Sequence, residues 1–340
     1  MKALTGKVAV VAGATRGAGR GIARMLGEAG ATVYCTGRGG AGSPSGGRHA
    51  GRPETVEETA EMVTTAGGEG IPVRVDHSVE SEVEALYARV KAEQGRLDVQ
   101  VNVLGSPHVM GFTPFWESKL AVDLPGLQSY VWPHLITCRH AVPLMMEGKR
   151  GLIVTVQESH TLGYGGSIFY DMGPLVLKRL MYDLAEELAP HGVAAVAIAP
   201  GFMRTEEVLA TMKATEENWR EVARTSKEAQ DFGFAGSETP CFVGRAIAAL
   251  AADPQVMRKS GAILNSWGLS EEYGFEDIDG GRPHWGRFFA ENFPQYADAP
   301  PKTGRRWELV KVEAGSATET DDVPAELVAA ESVSAGASGG

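Results

Sequence analysis

A short apolar run, Val8 to Ala12, gives way at once to Gly13-Ala14-Thr15-Arg16-Gly17-Ala18-Gly19 and then to an amphipathic stretch from Arg20 onward. A buried strand, a glycine-rich turn and a helix in that order constrain the fold more than any other feature. The rhythm repeats. β-branched runs at Thr32–Cys35, Pro72–Val75, Val99–Val103, Leu152–Val156 and Val193–Ile198 alternate with segments of helical period. Between Ser81 and Val90, for example, Val83, Leu86, Tyr87 and Val90 share one face. Alternation of this kind predicts an α/β fold, a Rossmann-type doubly wound parallel sheet in a single domain with a C-terminal extension. The domain is expected over residues 1–270. Residues 271–297, with the aromatic segment Pro283-His284-Trp285-Gly286-Arg287-Phe288-Phe289, are expected to pack back on the domain, on a partner subunit or over the substrate site. Residues 298–340 read as a disordered acidic tail, because six acids and no Lys or Arg follow Lys311.

Composition narrows the function. A formal charge of -11 argues against nucleic acid or an anionic membrane as partner, since both are held by clustered Lys and Arg, and favours a small-molecule substrate. Cys35, Cys138 and Cys241 lie far apart with no C-x-x-C, the pattern of free thiols, so neither a disulfide framework nor a metal site is indicated. The apolar run after Met1 is too short for a signal peptide, and no stretch of 18 apolar residues occurs. A soluble cytoplasmic protein is expected.

The glycine loop carries the first chemical expectation. Glycines let backbone amides approach a pyrophosphate at a helix N-terminus, where unpaired N–H groups and the helix dipole favour anions. Gly13, Thr15, Arg16, Gly17, Ala18 and Gly19 are therefore candidate cofactor contacts. The second strand ends Thr36-Gly37-Arg38 with no acid to accept a ribose 2'-hydroxyl. Arg38, aided by Arg16, instead suits a 2'-phosphate, which selects NADP(H) over NAD(H).

With these motifs in place, residues 5 to 270 resemble the short-chain dehydrogenase/reductase family. Val75-Asp76-His77 is similar to the family's adenine-contacting segment, which implies cofactor roles for Asp76 and His77. Asp98-Val99-Gln100-Val101-Asn102-Val103-Leu104-Gly105 resembles D-x-x-V-N-N-A-G, with Val103 and Leu104 in place of Asn and Ala, and implicates Asn102 and Gly105. Pro200-Gly201-Phe202-Met203-Arg204-Thr205 resembles the P-G-x-x-x-T loop that closes on the nicotinamide, implicating Pro200, Gly201 and Thr205. Family habit also implies a homo-oligomer, dimer or tetramer, through the helices bearing Tyr130 to His140 and Pro174 to Leu188.

The resemblance implies a catalytic Tyr, Ser and Lys with a supporting Asn, and only the Tyr, Tyr170, is retained. The Ser position falls on Gln157 or Glu158, with Ser159 one or two residues late, so Tyr170, Ser159 and Glu158 are the catalytic candidates. The Asn position falls on Ser129, and the Lys position, four residues after Tyr170, holds Pro174. Gly173-Pro174 disfavours helix, which predicts a helix beginning at Pro174 with Tyr170 in the loop before it. If the helix did include both, Lys178 would lie about 12 Å along the axis from Tyr170, against about 6 Å for the family pair, too far to be a direct substitute. Without a neighbouring cation a Tyr is phenolate in roughly one molecule in a thousand at pH 7, so alcohol oxidation suffers more than reduction. The expected activity is an atypical NADP(H)-dependent reduction of a carbonyl or imine of an apolar small molecule in specialised metabolism. The alternatives are a non-redox cyclase or isomerase that keeps the cofactor, or an inactive NADP(H)-binding protein.

Overall fold

The computed structural model describes residues 2–40, 52–105, 113–158 and 164–294. Seven strands form one parallel sheet in the order β3-β2-β1-β4-β5-β6-β7. They are β1 (Val8–Ala12), β2 (Thr32–Gly37), β3 (Glu69–Arg74), β4 (Val99–Asn102), β5 (Gly151–Val156), β6 (Val193–Ala199) and β7 (Ile263–Asn265). The order reverses between β1 and β4, opening a crevice at the carboxyl ends of the strands where ligands bind in such sheets. Six strands match the expected runs, although β3 begins earlier than expected, at Glu69. The seventh is an addition.

Alternation along each strand divides the core. Ala9 and Val11 of β1 face α1 (Gly17–Glu28) and α9 (Pro240–Ala252), where Ile22, Leu26, Val243, Ile247 and Leu250 are buried. Val8 and Val10 face α3 (Glu80–Gln94), α4 (Leu120–Glu147) and α5 (Ile168–Leu188), where Leu86, Cys138, Met145 and Met181 lie. Both faces are covered. This is why the central strands are continuous apolar runs rather than half-polar ones.

The helix α5 corrects one expectation. It starts at Ile168, so Tyr170 lies in its first turn and Pro174 is inside it. Proline there removes the N–H that would bond the Tyr170 carbonyl, a cost of about 3 kcal/mol. Burial of Leu177, Met181 and Leu188 on the same helix, at about 1.5–3 kcal/mol each, offsets it.

Beyond β6, α6 (Glu206–Thr211), α7 (Trp219–Thr225) and α8 (Lys227–Asp231) gather around Trp219 and Phe234. The helices α10 (Ser266–Tyr273) and α11 (Trp285–Asn292) follow. Trp285 of α11 lies against Phe202, with ring centroids 5.8 Å apart. The segment 298–340 lies outside the described residues. None of the described helices is long and apolar enough to cross a membrane.

Candidate active site

The glycine loop joins β1 to α1 under tight steric constraint. A Cβ on Gly13 would stand 2.0 Å from the Val103 carbonyl oxygen, and one on Gly19 would stand 2.1 Å from that of Gly13. Gly13 and Gly17 also adopt φ of +90° and +55°, in the region that favours glycine. The free end of α1 already holds an anion. The Gly17 N–H donates to Oε2 of Glu206 at 2.9 Å, and Arg20 lies 3.7 Å from the same carboxylate. A loop that seats a carboxylate on a helix N-terminus is chemically fit for a diphosphate. Thr15 and Ala18 are buried in the same turn.

The remaining cofactor candidates divide into surface and internal side chains. Arg38 is exposed at the end of β2 and faces Asp76. Burial works against the Asp76 charge, but the Ser78 hydroxyl and amide and the Arg38 guanidinium hold its carboxyl below the ordinary range. Arg16 is shared with Glu54 at 3.4 Å, so its charge is partly spent within the protein. The His77 ring does not face the crevice. It is buried between Thr36 Oγ1 at 2.7 Å and Thr137 Oγ1 at 2.9 Å, and burial pulls its pKa down to about 3. The ring is therefore a core element and not a cofactor contact. Asn102 is also internal, accepting from Gln100 and donating to the Cys138 sulfur. Gly105, at φ +74°, runs against Tyr130.

The loop after β6 is braced from below. The Gly201 N–H donates to Glu238 Oε2 at 2.9 Å, and the Ser266 hydroxyl donates to the same oxygen at 2.7 Å. Burial pushes the Glu238 carboxyl up to about 8, despite these two donors. Pro200 precedes this anchor. Thr205 caps α6 by accepting from the Val208 N–H, and its methyl approaches Gly17, so this loop and the glycine loop meet.

The proton-handling residues gather around the start of α5. Tyr170 is half-buried, and burial, with the carboxylates Glu158 and Asp171, pushes its phenol up to about 12. Glu158 follows β5 and accepts from the Tyr130 hydroxyl at 2.6 Å. Lys178 is buried two turns beyond Tyr170. Burial pulls its ammonium down to about 8, while the charges of Asp171 and Glu158 oppose that fall. Ser129 turns away from Glu158 and donates to the Gly126 carbonyl. Ser159 lies outside the described residues.

Tyr130 and Asp171 are the participants that sequence reasoning missed; it weighs Lys178 only as a direct substitute for the missing lysine and sets it aside. Tyr130 has one indirect signal, Gly173, whose Cβ would stand 2.5 Å from the Tyr130 ring. Gly105 and Gly173 together leave room for that ring.

Comparisons with known proteins bear on the fold and the family. A family model described as short chain dehydrogenase matches residues 7–217. A mouse protein named "Dehydrogenase/reductase SDR family member 1" is 37% identical over 286 residues, covering 82% of this chain and 85% of its own. A short chain dehydrogenase structure from Mycobacterium thermoresistibile superposes with a TM-score of 0.66 at 21% identity, covering 83% of this chain and 92% of that one. YwfH, described as an NADPH dependent reductase involved in bacilysin biosynthesis, superposes with a TM-score of 0.60 at 17% identity, covering 76% and 96%. The two structures support the fold, and the family match with the mouse relative supports descent; the chain belongs to the short-chain dehydrogenase/reductase family.

Proposed function

We propose that this protein is an NADP(H)-dependent reductase acting on a carbonyl or imine carbon of an apolar small molecule, with Tyr170 as the proton donor. The observation that carries this reading is the Tyr170 phenol, pushed up to about 12 by burial and by Glu158 and Asp171. A phenol in that state cannot serve as a base near neutral pH. It can still protonate an alkoxide, which is a far stronger base than a phenolate. Reduction is the favoured direction. A bound dihydronicotinamide would supply the hydride. The chain's part is to seat the diphosphate on the Gly13–Gly19 turn, hold the nicotinamide end with the loop at Pro200, Gly201 and Thr205, and keep Tyr170 protonated at the substrate oxygen or nitrogen. Arg38 supports the preference for NADP(H), and Arg16, already shared with Glu54, contributes less. Stopped-flow oxidation of NADPH with a panel of apolar ketones and cyclic imines, for wild type and Tyr170→Phe, tests the reading. Loss of ketone turnover in the variant with NADPH affinity retained is expected.

A second copy of the chain is the proposed partner. Leu124, Trp132 and Leu135 of α4 and Ile168, Met172 and Val176 of α5 are exposed at helical spacing, and that apolar area favours association through these two helices. A second catalytic reading draws on the Tyr130–Glu158 hydrogen bond and on Pro174 at the lysine position, which suit acid–base chemistry without hydride transfer. An isomerase or cyclase of that kind would keep the dinucleotide bound without oxidising it.

A further inference from the structure

The position that the family fills with a neutral hydroxyl falls at Gln157 or Glu158, and the groups around Glu158 keep it in the role of an acceptor. The Tyr130 hydroxyl, buried and wedged against Gly105 and Gly173, donates to Glu158 Oε2 at 2.6 Å. From α5, Lys178 sets a positive charge against Glu158 and Asp171, and Tyr170 completes the surround. Gln157, immediately before Glu158, adds a second observation. It is 3% exposed, and among the described residues neither its amide nitrogen nor its amide oxygen has a hydrogen-bond partner. Along β5, Ile153 packs with Cys138 and Met181, so odd-numbered positions face α4 and α5. The Gln157 backbone continues that strand by donating to Ile198, which places its amide on the same side. The floor of the site therefore offers the Glu158 carboxylate and, beside it, an amide whose oxygen can accept and whose nitrogen can donate.

The carboxylate is what opposes a carbonyl oxygen and suits a cation. Reducing a carbonyl builds negative charge on oxygen, which requires donors and is opposed by a neighbouring carboxylate. A protonated imine brings a positive charge and an N–H donor to the same place. Resting on the reductase reading above, we infer that Glu158, oriented by Tyr130 and assisted by the Gln157 amide, selects a protonated imine as substrate and its secondary amine as product. In this step the iminium carbon accepts the hydride, the C=N π pair becomes the nitrogen lone pair, and the dihydronicotinamide that gave the hydride is left oxidised. No proton need be delivered in the hydride step itself, because the nitrogen already carries one. The carboxylate favours the charged, reactive form of the imine at neutral pH. The missing lysine is then less costly, because no alkoxide has to be protonated.

Calorimetric titration of the full chain, with and without saturating NADP+, tests the inference using 1,2,3,4-tetrahydroisoquinoline, a cation at pH 7, and isochroman, its neutral oxygen isostere. The amine is expected to bind at least about tenfold more tightly, and Glu158→Gln should erase that preference at unchanged melting temperature. Should Glu158→Gln fail to fold, Tyr130→Phe, which keeps the ring and frees the carboxylate, is expected to reduce the preference. Equal binding of the two probes, or a preference that survives these changes, would overturn the inference. NADPH-dependent reduction of 3,4-dihydroisoquinoline against 2-tetralone separates it from the broader reading. Turnover of the ketone with no amine preference overturns the inference and leaves a reductase. An amine preference lost in Glu158→Gln with neither compound reduced upholds the charge selection and removes the redox reading.

Discussion

The two halves of the crevice are built on different principles. Around β1 and α1, function lies in the backbone. Gly13 and Gly19 sit where no other residue fits, and the amide of Gly17 presents itself to an anion. Around β5 and α5 the frame is equally sound, but function lies in a few side chains, and these have been exchanged without disturbing the helix that carries them. A backbone site is kept whole or lost, whereas a side-chain site can be recharged residue by residue on an unchanged scaffold.

The contrast can be broken most forcefully at Tyr170. Tyr170→Phe should lower kcat for a ketone substrate by about 100-fold or more while leaving NADPH affinity within error, since only a proton donor is removed. A variant with full turnover would move the acid to another residue. On the other side, Gly19→Ala drives a methyl into the Gly13 carbonyl and should cost about 1–3 kcal/mol of stability, together with cofactor affinity. Thermal melts with and without NADPH measure both, and an unchanged melt would mean that the loop is looser than its geometry. Arg38→Ala is expected to weaken NADPH binding about tenfold and leave NADH unaffected. Equal losses for the two cofactors would remove the 2'-phosphate assignment.

Glu238, beneath the loop after β6, gives a pH dependence. Burial pushes its carboxyl up to about 8, above the ordinary value, so its contribution to stability is present in acid and is lost as pH rises toward and through 8. Glu238→Gln should flatten the fall in melting temperature between pH 5 and pH 8. A slope that persists in the variant would assign it to another group. The smallest expected effect is at Pro174. Pro174→Lys alone should raise oxidation of secondary alcohols by less than about tenfold, because Glu158 and Tyr130 still occupy the neighbouring positions. Robust oxidation from that one change would show that the second half is conventional.

The five strands β1, β2, β4, β5 and β6 and the glycine loop were legible in the sequence because each depends on local pattern. Strand β7 was not, since three half-buried residues at a sheet edge give no periodic signal. β3 was displaced because it is an edge strand of alternating exposure rather than a buried run. The helix through Gly173-Pro174 was misread because tertiary burial of Leu177 and Met181 outweighs a local penalty. His77 looked like a cofactor residue from its neighbour Asp76, yet its side chain points inward to Thr36 and Thr137. Tyr130 was hidden because its partner Glu158 lies 28 positions away and meets it only in the folded chain.

The central claim is that an intact cofactor half still delivers hydride across a recharged catalytic half. Incubating the protein with NADPH deuterated at nicotinamide C4 and a panel of apolar ketones and cyclic imines, then weighing the products by mass spectrometry, tests this most directly. The account predicts one deuterium in the reduced product and its near disappearance in Tyr170→Phe for any ketone that is turned over. NADPH that binds tightly yet transfers no deuterium to any member of the panel would contradict it.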